Sequence, residues 1–152
     1  MSKIEQLQAS LVDQQLDAAY ISDPMTIGYL TGFYEDPIER VMALVVFADA
    51  EPFLFTPALE VEAAKGAGWT QPVYGYLDHE NPYELIADHV KKHAGTPINW
   101  GIEESHLTVE RLLGLQQVLP AAKFSTNLTP TIEKMRLIKS AISFHCVPST
   151  LK

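Results

Sequence analysis

The chain has 152 residues, 47% of them apolar, with a formal charge of −8 and an isoelectric point near 5.0. That length holds one domain with a sizeable core and would cramp two. The acidic balance excludes a nucleic-acid backbone as partner, since such binding calls for clustered Lys and Arg and the longest basic run is Lys91-Lys92. No apolar run nears the roughly twenty residues that cross a bilayer. The first twenty residues lack a basic region followed by an apolar one, and the single cysteine, Cys146, closes no intrachain disulfide, a combination that reads as cytoplasmic.

Ser2 and Glu5 form a capping-box pattern, and Ile4, Leu7, Leu11, Val12 and Leu16 then recur at helical spacing. Ala18 to Ile21 reads as a short strand, stopped by Ser22-Asp23-Pro24. Asp23 can cap a brief helix through about Leu30, which Gly32 ends. The stretch Thr31 to Arg40 then places four charges, Glu35, Asp36, Glu39 and Arg40, in six residues directly before the apolar run Val41 to Phe47. Val41 to Phe47 and Pro52 to Phe55 read as two strands joined at Asp49-Ala50-Glu51, a connection short enough for a hairpin, so the sheet must be mixed.

Thr56-Pro57 has the form of a cap followed by an N1 proline, with Gly66 and Gly68 closing that helix. Val73 to Tyr76 resumes as a strand. Asn81-Pro82 starts a helix to about Ala94, with Lys91, Lys92 and His93 placed where the helix dipole favours cations before Gly95. Ile98 to Ile102 is a strand, Thr108 to Leu119 a helix stopped by Pro120, and Ala122 to Phe124 a last short strand. Alternation of strands and helices after the hairpin predicts an α/β layered domain with helices on both faces of the sheet. From Ile132 to Lys139 the pattern is helical, but Ser143 to Thr150 has neither periodicity, as expected of a chain cut, frameshifted or tagged after Ala141.

Three constellations invite a chemical reading. His89 and His93 stand four apart on a predicted helix, the spacing that turns two imidazoles to one metal, but the residue after the first is Val90, where a helical zinc hydrolase needs Glu. They are better read as part of a solvated polar face with Asp88 and Lys92. Asp78-His79-Glu80 is ordinary loop chemistry before an Asn-Pro helix start. Glu103-Glu104 follows a strand, where carboxylates can hold divalent cations, yet the same pair also suits the positive end of the next helix. Nucleophile elbow, phosphate-binding glycine loop and CxxC pair are all missing, so the residues by themselves show no catalytic machinery.

Three segments together resemble the amino-terminal domain of the creatinase, prolidase and aminopeptidase P family, in its bacterial Xaa-Pro dipeptidase branch. They are Leu16 to Pro24 continuing through Leu30-Thr31-Gly32-Phe33; Trp100-Gly101-Ile102-Glu103; and Lys134 to Ser140, with the hairpin and Thr56-Pro57-Ala58-Leu59-Glu60 in the expected places. The resemblance implies an α/β fold with a three-layer mixed β-sheet and a ribonuclease H-like motif. It divides the chain into a domain over 1–130, the start of a linker helix over 131–141, and an atypical tail over 142–152 where a pita-bread catalytic domain would follow. It implies that the two divalent metals, such as manganese, belong to that absent domain, so this chain holds no metal or catalytic residue and is inactive alone. Its expected work is dimerisation and shaping of the substrate pocket, with a second subunit, its own catalytic domain and short proline-containing peptides as partners. The loop carrying Glu35, Asp36, Glu39 and Arg40 would lie near the substrate entrance, its charges suited to the ammonium and carboxylate ends of a dipeptide. A free-standing peptide- or protein-binding module of the same fold is the rival reading; an independent metal hydrolase or nuclease is a third, carried by fold analogy alone.

Overall fold

The computed structural model of the chain describes residues 2–137. Helix α1 (Lys3–Asp13) starts at the expected capping box, in which the Ser2 side chain accepts from the Glu5 amide and the Glu5 carboxylate accepts from the Ser2 amide. Strand β1 (Ala18–Ile21) leads into α2 (Pro24–Thr31), capped by Asp23 and ended by Gly32 at φ 84°, a left-handed conformation that glycine adopts without strain. β2 (Ala43–Phe47) and β3 (Phe53–Pro57) form the predicted hairpin. After a one-turn 3₁₀ helix, Ala58–Glu60, come α3 (Val61–Gly66), β4 (Val73–Tyr76), α4 (Pro82–Ala94), β5 (Asn99–Ile102), α5 (Val109–Val118) and β6 (Lys123–Asn127). A further helix, α6, begins at residue 129 and runs through 137. The remainder of the linker reading and the reading of 142–152 as an atypical tail lie outside the described residues.

The six strands lie in the order β4-β3-β2-β1-β5-β6, with β2 antiparallel to both neighbours and the other pairs parallel. Successive strand residues point to opposite faces, and both faces are covered. Ala19, Ile21, Leu44, Val46 and Leu54 pack with Leu7 and Leu11 of α1, Ile27 and Leu30 of α2, Ala64 of α3 and Ile132 of α6. Tyr20, Val45, Phe47, Phe53, Phe55 and Trp100 pack with Ile86, Ala87 and Val90 of α4 and Leu115 of α5. The result is the predicted three-layer α/β arrangement around a mixed sheet.

Local expectations change at several points: β2 starts at Ala43 and not at Val41, and β6 runs Lys123–Asn127 where Ala122 to Phe124 was expected. Val12 is exposed, so the buried stripe of α1 rests on Leu7 and Leu11. Thr56-Pro57 ends β3 and does not cap a helix: Pro57 pairs with Tyr76 of β4, and the Thr56 hydroxyl donates to the Pro57 carbonyl. Sheet pairing overrides the local start signal because it satisfies backbone groups that a helix end would leave open.

Candidate functional site at the carboxyl end of the sheet

Every strand except β2 runs in one direction, so the segments that follow β1, β3, β4 and β5 gather at one end of the sheet, together with the 33–42 loop that enters β2. In open α/β sheets, sites form at such carboxyl ends.

The buried carboxylate there is Glu103, only 3% exposed. One of its carboxylate oxygens, Oε1, accepts from the amides of Ser22 (2.9 Å) and Asp23 (3.0 Å), the two residues between β1 and α2. Burial pushes its pKa up, opposed by the hydrogen bonds from Asp23, Thr26 and Ser22. The parallel pairing of β1 with β5, Tyr20 beside Ile102, places this carboxylate at the start of α2. Of the two carboxylates read as a candidate cation pair, Glu103 is therefore committed to backbone amides. Glu104 is exposed, with its amide donating to Asn127 Oδ1. Ser22 Oγ and His106 Nδ1 stand 3.1 Å apart, carrying the polar network outward.

Beside it opens a cavity of about 420 Å³ lined by Asp23, Pro24, Met25, Tyr34, Glu35, Asp36 and His106. Tyr34, 61% exposed, lies over Gly28 of α2; a Cβ at Gly28 would stand 2.2 Å from the ring, so only glycine admits this approach. Asp36 Oδ1 accepts from the Ile38 amide at 2.9 Å and shapes the turn, in which Ile38 stands at φ 60° and 85% exposed. A β-branched residue rarely adopts that left-handed conformation.

Arg40 faces elsewhere. The Arg40 guanidinium pairs with Asp78 at 3.0 Å beside a second cavity, about 250 Å³, lined by Pro57, Ala58, Leu59, Tyr76 and Leu77 as well as the pair. The Glu39 carbonyl accepts from Arg111 Nη2 at 2.8 Å, and the Val41 carbonyl from the Tyr76 hydroxyl at 2.8 Å. Of the four charged residues that crowd together in sequence, Glu35 and Asp36 line one recess and Arg40 the other, while Glu39 lines neither. Arg111, Tyr76 and His106 were not singled out by the sequence; the signal that could have found His106 and Arg111 is their position in the loop after β5 and the first turn of α5, at the end of the sheet where sites form.

The histidine pair is not on a solvated face. His89 stacks on Tyr74 at 3.8 Å between centroids and 2° between planes, and His93 packs on Phe53 at 5.0 Å. His93 Nδ1 donates to the Glu51 carbonyl at 2.7 Å, and its Nε2 meets the Tyr74 hydroxyl at 2.9 Å. Burial is the largest cause that holds His89 below its ordinary pKa, with Lys92 next. The aromatic rings of β3 and β4 claim both imidazoles, which a reading of helical periodicity alone assigns to the polar side. Among the described residues, no three or more His, Cys, Asp or Glu side chains gather where they could hold a metal, and no helix is long and apolar enough to cross a membrane.

The sequence profile of the Creatinase/Prolidase N-terminal domain matches residues 3–138. The chain belongs to that family. It is 47% identical over 137 residues to the Xaa-Pro dipeptidase of Lactobacillus helveticus, an alignment covering 90% of this chain and 37% of that protein. The chain thus spans little more than a third of the length of this curated relative. Among solved structures, the N-terminal domain of the Xaa-Pro dipeptidase from Lactobacillus brevis superposes with a TM-score of 0.84 at 49% identity, over 88% of this chain and 99% of that one. A proline dipeptidase from Streptococcus pneumoniae gives a TM-score of 0.84 at 46% identity, over 91% and 99% respectively.

Proposed function

We propose that this chain serves as the non-catalytic amino-terminal domain of an Xaa-Pro dipeptidase, associating subunits and shaping the pocket in which short proline-containing peptides are held. The observation that carries the reading is the 33–42 loop. It offers Glu35, Asp36 and Arg40 at the carboxyl end of the sheet, all exposed, and the core needs none of these charges. Carboxylates suit a peptide ammonium, and a guanidinium suits a carboxylate through its planar fork.

The remaining polypeptide would hold two divalent metal ions, manganese for example, whose chemistry is to activate a bridging water and polarise the scissile carbonyl. Among the described residues the donor groups do not fit such a centre, because Glu103 is spent on backbone amides and both helix histidines on aromatic packing. What this chain supplies is orientation of the substrate, and isolation of the pocket by a second subunit. Exposed Tyr34, Ile38, Leu59 and Leu77 at the same end of the sheet support an association surface there. The same patch favours the rival reading, a free-standing peptide-binding module.

A chimera tests the proposal: residues 1–137 of this chain replacing the matching segment of the Lactobacillus helveticus enzyme. Asp36→Asn and Arg40→Lys should each lower kcat/KM on Xaa-Pro dipeptides about tenfold, equivalent to roughly 1.4 kcal/mol, with metal content unchanged. Unchanged kinetics in both variants of an active dimer would refute the role of the loop. Saturable dipeptide binding by the 152-residue chain alone would favour the module instead.

A further inference from the structure

The loop that carries the proposed function is held very unevenly. On either side of Arg40 the backbone carbonyls are engaged by side chains from distant elements: Glu39 O by Arg111 of α5 and Val41 O by Tyr76 of β4, each at 2.8 Å. Both donors are themselves well supported. Thr108 Oγ1 accepts from the Arg111 amide and caps the first turn of α5. Arg111 is partly exposed, as is its hydrogen bond to the Glu39 carbonyl, and its guanidinium lies close enough to Tyr20, Tyr76 and Tyr83 to oppose the rise in phenol pKa that burial produces at each. The Tyr76 ring is buried and stacks on Phe55 at 5.0 Å and 5°. The Arg40 amide closes the turn by donating to the Pro37 carbonyl at 3.0 Å.

Among the described residues the Arg40 side chain pairs with Asp78, in an ion pair whose side chains are 45% and 72% exposed. Exposed ion pairs are screened and exchange with water at little cost, whereas a charged donor or buried hydroxyl on a backbone carbonyl is a stronger tether. The backbone should therefore hold while the guanidinium comes free.

We propose that Arg111 and Tyr76 are positioning residues for Arg40: they clamp the carbonyls flanking it, so that its guanidinium is presented from a fixed backbone, parked on Asp78 until a ligand carboxylate displaces that partner. The recess beside Arg40 fits such a ligand, because Pro57, Ala58, Leu59 and Leu77 give the cavity an apolar wall next to the cation. The ligand class is a carboxylate carried on an apolar group. This inference rests on the loop having the function proposed above, and the two can fail separately.

The test has a structural arm on the 152-residue chain and a kinetic arm on the chimera. By ¹⁵N relaxation, amides 39–41 should be as ordered as the neighbouring strand in the native chain, with the Arg40 Nε–H more mobile than its own amide. Tyr76→Phe, which keeps the stacked ring and loses only the hydroxyl, and Arg111→Met should loosen those amides. Arg111→Lys, still able to donate to the Glu39 carbonyl, should restore most of the order. Asp78→Asn should free the Arg40 side chain and leave the amides as they were. In the chimera, Arg111→Met and Arg40→Met should each lower kcat/KM about tenfold, with Arg111→Lys recovering most of the loss seen in Arg111→Met.

Amides that stay ordered in both Tyr76→Phe and Arg111→Met would overturn the clamp. So would an Asp78→Asn variant that loosens the backbone as much as Arg111→Met, since the ion pair would then be the anchor. If Arg40→Met slows the chimera and Arg111→Met does not, the positioning role is refuted. If the relaxation data show the clamp and neither variant slows the chimera, the clamp stands and the functional reading of the loop falls.

Discussion

Glu103 and the pair Glu35 and Asp36 are carboxylates at the same end of one sheet, under opposite physical conditions. Glu103 is buried and accepts from two backbone amides. Glu35 and Asp36 are exposed, and of the two only Asp36 has a described hydrogen bond, within its own turn. A buried carboxylate must be matched to donors to be tolerated at all, so its partners are part of the fold. An exposed one is cheap to keep and cheap to change, which leaves it available for the role proposed for the loop. The contrast separates the residue that builds this end of the molecule from those that can work there.

The strongest test of that contrast is Glu103→Ala. It leaves the Ser22 and Asp23 amides without their acceptor at the start of α2, and should cost about 3 kcal/mol in urea unfolding. A loss below about 1 kcal/mol would show that water replaces the carboxylate and that the site is more open than its burial implies. Glu103→Gln keeps an acceptor oxygen in place and should cost far less.

Gly28→Ala should have the next largest effect. The new Cβ would overlap the Tyr34 ring, so the ring must swing outward and open the cavity shared with Glu35 and Asp36. Better helix propensity offsets part of the lost packing, leaving a net destabilisation of about 1 kcal/mol. Changed shifts for Tyr34, Glu35 and Asp36 with the sheet unmoved would confirm the response; unchanged Tyr34 shifts would show that α2 moves instead.

The pH dependence of stability offers a finer comparison, between Glu103 and His89. The raised pKa of Glu103 means that the folded chain binds its proton more tightly, so this contribution falls as pH rises from 4.5, the ordinary value, through the folded value. The depressed pKa of His89 acts in the opposite sense. Its contribution is present above the ordinary value of 6.5 and is lost as pH falls from there through the folded value. Native-minus-variant curves against Glu103→Gln and His89→Phe should therefore slope in opposite directions. His89→Phe also removes a buried Nδ1 that lacks a hydrogen-bond partner among the described residues, and keeps a ring against Tyr74. Curves of the same slope would contradict the assigned environments.

The smallest effect is expected from Asp78→Asn. Its pair with Arg40 is exposed, and the loss should stay within about 0.5 kcal/mol, shrinking further in salt. A larger cost would count Arg40 among the structural residues and against its proposed role.

Much of the architecture was legible in the residues. Ser2, Asp23 and Asn81 cap helices as their positions predict, Thr108 caps the helix expected to begin with it, and the hairpin made the sheet mixed. The histidines were misread because periodicity counts them as polar, whereas their neighbours on β3 and β4 are aromatic. Thr56-Pro57 was misread because pairing of β3 with β4 carries the strand through a sequence that locally starts a helix.

What the sequence determined by itself, then, is whatever closes within a few residues: caps, turns, the alternation that puts Val45 and Val46 on opposite faces, and the crowding of charge before β2. Family membership was also written there, in segments whose order could be read without coordinates. Only the tertiary structure decided which of those charges are free. Arg111 reaches the Glu39 carbonyl across 72 residues of chain, and Glu103 reaches the Ser22 amide across 81. Such contacts depend on the order and register of the strands, which bring distant segments to one end of the sheet. Local hydrogen bonds can be inferred from spacing because the backbone geometry between their partners is nearly constant; bonds across the sheet have no such constraint until the whole core is packed.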